Sequence, residues 1–269
     1  MRQIYPSAPG GREISLAEPG QASPATLDAL AELYAYPDDA ALAGRPWVRA
    51  NMVTSADGAA WLAGRAGGLS GLADRMVFSV LRSLADVILV GAGTARAERY
   101  RAMSPAEAYP QLREGRTATP PIAVVSRALD LDPDGRLLAG GDGRAATIVL
   151  TTEAAPADRR AAAARHADVI ITGESLVTAG AAVRALAARG LTRIMAEGGP
   201  TLLGFITAER LLDELCLTYS PMLVGGDVGR ILLAPAGQGG SQQLAGLSLA
   251  HVLESEGHLL CRYLSVPDR

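Results

Sequence analysis

An α/β fold on a largely parallel sheet is predicted by three features of this sequence. Short apolar runs alternate with stretches of helical periodicity through most of the chain. Two of those runs end directly in glycine, "DVILVGAG" (86–93) and "RIMAEGG" (193–199). Apolar residues make up 49% and charged residues 20% of 269 positions, a balance suited to one large globular core.

The elements follow in order. Residues 1–44 mix proline and glycine around one helical stretch, "TLDALAELYAY", and read as an extension packing on the domain that spans 45–269. "RPWVRANMVTS" (45–55) alternates as a strand, and a glycine-rich loop follows. "LADRMVFSVLRSLA" (72–85) carries apolar residues at helical spacing, and 86–93 reads as a buried strand. "PIAVVS" (121–126), "ATIVLTT" (146–152) and "DVIITG" (168–173) are strands, with a helix at 157–167. A second helix, 178–190, is expected to end at Gly190 as its C-cap. The strand and helix around 193–206 come next, then a strand-rich segment at 212–226 and a final strand, "HLLCRYLSV". The late strands are placed to pair antiparallel. Segment 129–145 is loop-rich but too short for a domain linker.

Composition narrows the chemistry. All 25 basic residues are arginine, which excludes a lysine Schiff base and the phosphate-loop lysine of nucleotide triphosphatases. Cys216 and Cys261 read as buried free thiols, and no Cys/His zinc spacing occurs, so no metal is expected. A net charge of −3 without basic blocks argues against nucleic acid. With no long apolar run, neither a membrane span nor a secretory signal is expected, which predicts a cytoplasmic protein.

Three strand ends carry the polar and glycine positions. In "RIMAEGGPTLLG" a strand stops at Glu197, and Gly198, Gly199, Pro200, Thr201 and Leu202 open a helix. The N–H groups there suit an anion, or the glycines serve an ordinary turn. "VGAGTAR" places Gly91, Gly93 and Thr94 at a similar junction, with Arg96 where a dinucleotide fingerprint needs its third glycine. "VTSADG" ends with Asp57, either an acid facing a ligand or the centre of an Asx-turn.

In order, the chain contains R-P-W-V-x-A-x-M-V-T-S-x-D-G, L-S-G-x-x-D-R, L-R-x-x-A-D-V-I-L-V-G-A-G-T and E-G-G-P-T-L-L. This series resembles the pyrimidine reductases of riboflavin biosynthesis, most closely their stand-alone actinobacterial forms. The resemblance implies a dihydrofolate-reductase-like fold, a three-layer α/β/α arrangement with a mostly parallel mixed central sheet. It implies a homodimer in which NADPH reduces C1′ of a phosphorylated ribosylaminopyrimidine, 5-amino-6-(5-phosphoribosylamino)uracil. It places Gly91, Gly93, Thr94, Glu98, Ser126 and the segment Gly198–Leu202 against cofactor, with a cis peptide between Gly198 and Gly199. Ser70, Arg82 and Glu197 fall at substrate positions. Gly68 stands where the family often has tryptophan.

Roles follow from residue chemistry. Asp57 is the expected proton donor for imine reduction, and Glu197 a partner of the pyrimidine. Arg82 is expected to fork onto the substrate phosphate, or else to be a solvated helix residue. Ser126 and Arg127 suit a 2′-phosphate and so favour NADPH. Two other readings share the fold: a dihydrofolate or pterin reductase with Asp57 beside the ring, and an NADPH-binding protein without turnover.

Overall fold

The structure, a computed structural model, describes residues 1–6, 12–18, 21–38, 44–138, 145–234 and 245–266. Parts of the expected extension and of loop 129–145 lie outside them. Eleven strands are found among the described residues: β1 (Arg2–Tyr5), β2 (Arg12–Glu13), β3 (Trp47–Ser55), β4 (Val87–Gly91), β5 (Ile122–Val125), β6 (Thr147–Thr151), β7 (Ala167–Ile171), β8 (Arg193–Ala196), β9 (Glu214–Ser220), β10 (Leu247–Ser255) and β11 (His258–Ser265). The helices are α1 (Pro24–Leu33), α2 (Leu72–Leu84), α3 (Ala92–Ala97), α4 (Ala157–Ala163), α5 (Ala179–Ala187) and α6 (Pro200–Ala208).

One sheet holds all the strands, in the order β2-β1-β10-β11-β9-β3-β8-β4-β5-β6-β7. From β9 to β7 every pairing is parallel, while β10 and β11 pair antiparallel and add to the free side of β9. The late antiparallel pairing is therefore as expected, but β10, β1 and β2 had no clear alternation to announce them. β1 pairs with β10, and α1 packs with α2 on the same face of the sheet. Helix α5 stops earlier than expected: Ala188 is its C-cap, and Gly190 follows with φ of 76°.

The inner parallel strands β4, β5, β6 and β8 are buried on both faces, which is why they read as continuous apolar runs. In β4, Val87 and Leu89 pack under α5 and α6, whereas Ile88 and Val90 pack under α3. β8 splits likewise, with Ile194 and Ala196 on the α5/α6 side and Met195 beneath α1 and α2. This period of two makes three layers from one sheet.

Arg49, on β3, is fully buried, as is Glu214 on β9. Both point to the α1/α2 side. The Glu214 carboxylate accepts from Arg49 Nη2 at 3.0 Å, from Trp47 Nε1 at 3.1 Å and from Arg262 Nε at 2.8 Å. The same two guanidiniums donate onward to carbonyls at the end of α1, Arg49 to Tyr34 and Arg262 to Leu33 and Ala35. The Arg49 guanidinium lies 3.9 Å from the centre of the Tyr36 ring. Two arginines thus fasten α1 to β3, β9 and β11 through one carboxylate, and satisfy carbonyls that a helix end leaves unpaired.

Breaking such a group by removing one member leaves charge buried without its counterpart. Glu214→Ala should therefore lose about 3–5 kcal/mol in urea unfolding. Burial alone would raise the Glu214 pKa, but Arg49 and Arg262 outweigh it and hold the carboxyl below its ordinary range. Its stabilisation is thus complete above the unfolded glutamate value of about 4.3. It is lost as pH falls through the lower native value. Glu214→Gln should flatten that acid limb, and an unchanged limb would remove Glu214 as its source.

Candidate active site

A cleft of about 460 Å³ opens beside the middle of β3 and past the ends of β8 and β4, on the α2 side of the sheet. At its floor lies Glu197, the residue after β8, 7% exposed. Arg82 of α2 forks onto it, Nε to Oε1 at 2.7 Å and Nη2 to Oε2 at 2.6 Å. The Tyr100 hydroxyl donates to Oε2 at 2.5 Å. Arg82 is itself held between two rings, its guanidinium carbon 4.2 Å from the Phe78 centroid and 5.3 Å from that of Tyr100. Burial would lower the Arg82 pKa, but the Glu197 charge outweighs it and raises it. Burial and the same charge push the Tyr100 phenol well up, so it remains a donor.

One helix supplies a whole wall. Asp74, Phe78 and Arg82 follow at i, i+4 and i+8 on α2 and all line the cleft, with Arg75 and Ser79 beside them. Ser70, just before the helix, donates its hydroxyl to Asp74. Among the described residues Arg75 makes long contacts, 3.4 Å from Nη1 to the Ser70 carbonyl and 4.0 Å to Glu18. Arg99 also lines the cleft and is exposed. Arg101, by contrast, is forked onto Glu107. Glu98 accepts from the Ala66 N–H at 2.7 Å, tying the 66–69 turn to the end of α3.

Next to Glu197 two strand-to-helix junctions meet. Gly91 N–H donates to the Gly198 carbonyl at 2.8 Å, which continues the β4–β8 ladder to the glycines. The Gly198–Gly199 peptide is cis, as expected. A Cβ on Gly199 would come within 2.4 Å of Thr94 Oγ1, so no side chain fits there. Neither α3 nor α6 receives a side-chain cap at its start. The N–H groups of Thr201 and Leu202 open α6 beside the cleft, a backbone cradle that suits an anionic diphosphate. One strand over, Ser126 follows β5, buried, with its N–H bonded to the Leu150 carbonyl and Arg127 exposed after it.

Residues 46–258 match the family described as the RibD C-terminal domain. The chain belongs to that family. Among curated relatives, a 2,5-diamino-6-ribosylamino-4(3H)-pyrimidinone 5′-phosphate reductase of Methanothermobacter thermautotrophicus is 30% identical, covering 70% of this chain and 84% of its own. The Archaeoglobus fulgidus protein of the same name is 29% identical over 68% of this chain and 83% of its own. A solved pyrimidine reductase-like protein from Corynebacterium diphtheriae superposes with a TM-score of 0.76 at 26% identity, over 89% of this chain and 99% of the other. The three-layer fold expected from the sequence is the fold of this family. No helix among the described residues is long and apolar enough to cross a membrane.

In this RibD C-terminal domain two expected site residues have partners that the sequence did not suggest. Asp57 does not join Glu197. Ala50 pairs with Ala196, which sets Glu197 level with Asn51. Ser55 lies four residues further, about 13 Å along the strand. Asp57 is exposed there and accepts from the N–H groups of Val224, at 3.1 Å, and Gly225, at 2.7 Å, in the loop after β9. The Ser55 hydroxyl also donates to it at 2.5 Å. These bonds, the Ser55 one first, lower its pKa to about 2. Such a carboxyl holds a loop and carries no proton near neutrality. Arg82, expected on a phosphate, is forked onto Glu197.

Tyr100, Asp74 and Phe78 were missed from the sequence. The last two share the helical spacing of Arg82, a signal that was available; Tyr100 lies in an irregular loop, which offers none. The role of Asp57 is open to measurement. Carbon-detected NMR should find its carboxyl titrating near 2, and a midpoint above about 6, the range of working general acids, would restore it as proton donor.

Proposed function

We propose that this chain is an oxidoreductase that uses NADPH to reduce a 5-phosphoribosylamino-pyrimidine at C1′, opening its sugar to the ribityl chain of a riboflavin precursor. The observation that carries the reading is the buried Glu197, clamped by Arg82 and Tyr100 at the floor of the cleft and adjoining the uncapped start of α6. Family membership and the names of the relatives point the same way. When bound, the cofactor supplies the hydride. The cradle of Gly91, Gly93, Thr94 and Gly198–Leu202 fits its diphosphate. Ser126 and Arg127, at the next strand end, offer a hydroxyl and a guanidinium to a 2′-phosphate, which favours NADPH over NADH.

The protein's own contribution is to position and desolvate. Arg82 takes one lone pair of each Glu197 oxygen, and Tyr100 takes a second on Oε2. Oε1 alone keeps free capacity, enough to accept one ring N–H of a pyrimidine. Phe78 and Tyr100 cover this end of the cleft and keep water from it. Arg75 and Arg99, which no carboxylate among the described residues engages closely, suit the phosphate in place of Arg82.

The same two arginines weigh against a pterin substrate. A pterin carries no pentose phosphate, so it has nothing to offer Arg75 and Arg99 at the other end of the cleft.

Purified protein should oxidise NADPH, and NADH more slowly, when given either 5-amino-6-(5-phosphoribosylamino)uracil or its 2,5-diamino-pyrimidinone counterpart, and should leave dihydrofolate untouched. NADPH binding without turnover on either pyrimidine would overturn the reading in favour of a binding protein. Arg75→Ala should raise KM for the phosphorylated substrate about tenfold or more while sparing the dephosphorylated one. Equal losses on both would return Arg75 to the solvated surface.

A further inference from the structure

The hydroxyl of Ser70 and the carboxylate of Asp74 form a pair on the cleft wall that the reading above leaves without a role. A serine hydroxyl has one hydrogen and two lone pairs, and a carboxylate only accepts. With its single hydrogen directed at Asp74 Oδ2, Ser70 can offer the cleft nothing but lone pairs. The pair is firmly placed. Asp74 is 8% exposed in the first turn of α2, where the helix dipole favours negative charge. Gly71, between the two, lies against the buried ring of His258, and a Cβ there would meet His258 Cε1 at 2.8 Å. The backbone that carries Ser70 therefore has a wall behind it.

We propose that Asp74 is a positioning residue that makes Ser70 an obligate acceptor, and that Ser70 selects a hydrogen-bond donor on the sugar segment of the ligand. Placement along α2 assigns the segment. Phe78 and Arg82 with Glu197 mark the ring end, and Arg75, whose Nη1 reaches the Ser70 carbonyl, marks the phosphate end. Phosphate oxygens only accept, so near Arg75 it is the sugar, with its hydroxyls and linking amine, that can face Ser70. A ligand presenting an acceptor at that point would meet lone pair with lone pair. This assignment rests on the reductase reading and adds to it a second residue and a direction of hydrogen bonding.

A double-mutant cycle tests it. Wild-type turnover on the two phosphoribosylamino-pyrimidines is measured first, and its absence would overturn the reductase reading and this inference with it. Given turnover, Ser70→Ala and Asp74→Ala should each raise KM for the pyrimidine about tenfold, the worth of one good hydrogen bond, with NADPH affinity unchanged. The double variant should be no worse than either single one, because the two act as one unit. Asp74→Asn, whose amide oxygen still accepts, should bring KM back to within about threefold of wild type. Multiplying effects in the double variant, or an unaltered KM in Asp74→Ala, would overturn the proposal. So would a loss in Asp74→Ala that falls on NADPH binding and kcat alone, since that marks a merely structural residue.

Discussion

A buried carboxylate shared by two arginines organises this molecule. Glu214 is inaccessible to water, and each of its oxygens is met by guanidinium nitrogens from different strands. The arrangement does more than balance charge. Arg49 and Arg262 reach past Glu214 to the last carbonyls of α1, so one ionic group registers a helix against three strands. The pattern recurs at α2, where Arg113 donates to the Ser83 and Ala85 carbonyls and Arg116 to that of Leu84. In a chain without lysine, the planar five-donor guanidinium closes helix ends that a single ammonium could not span.

The consequence reaches the cleft. α2 is pinned at its C-terminal end by Arg113 and Arg116 and carries Arg82 on its last turns, so the partner of Glu197 is presented from a fixed element. β3 and β9, tied near their starts through Glu214, run on together past the end of β8. Their projecting ends carry two loops joined by Asp57 and by the Ala60–Gly229 bond. Gly229 itself has no room for a side chain, since a Cβ would sit 2.4 Å from Trp61. The carboxylate at Asp57 is thus part of the wall's construction.

Strands buried on both faces and helices with an apolar stripe leave strong periodic traces, which is why β3 to β9 and α2, α4, α5 and α6 were legible before any coordinates. β1, β2 and β10 were not: β1 and β2 are too short to show a period, and β10 is exposed at its start, which blurs its alternation. At the site, the glycines of 91–93 and 198–199 and the carboxylate at 197 were legible as types. Partnership was harder to read. Arg82 and Glu197 lie 115 residues apart, and nothing in either segment says that one neutralises the other. Asp57 and Glu197 looked alike as acids at strand ends; only the register, which lets β3 overrun β8, separates them.

The length of α2, thirteen residues, has a final consequence. A helix rises about 1.5 Å per residue, so the eight residues from Asp74 to Arg82 place two polar stations about 12 Å apart on a rigid rod. Loops that grip a ligand can adapt to its length, whereas a helix wall cannot. On the function proposed above, the wall measures its guest: a molecule must be long enough to touch both stations at once. A bare pyrimidine or a free pentose phosphate engages one and forfeits the other. Selection by length in this way needs no contact that recognises the middle of the molecule, and it would survive considerable change in the loops around the mouth of the cleft.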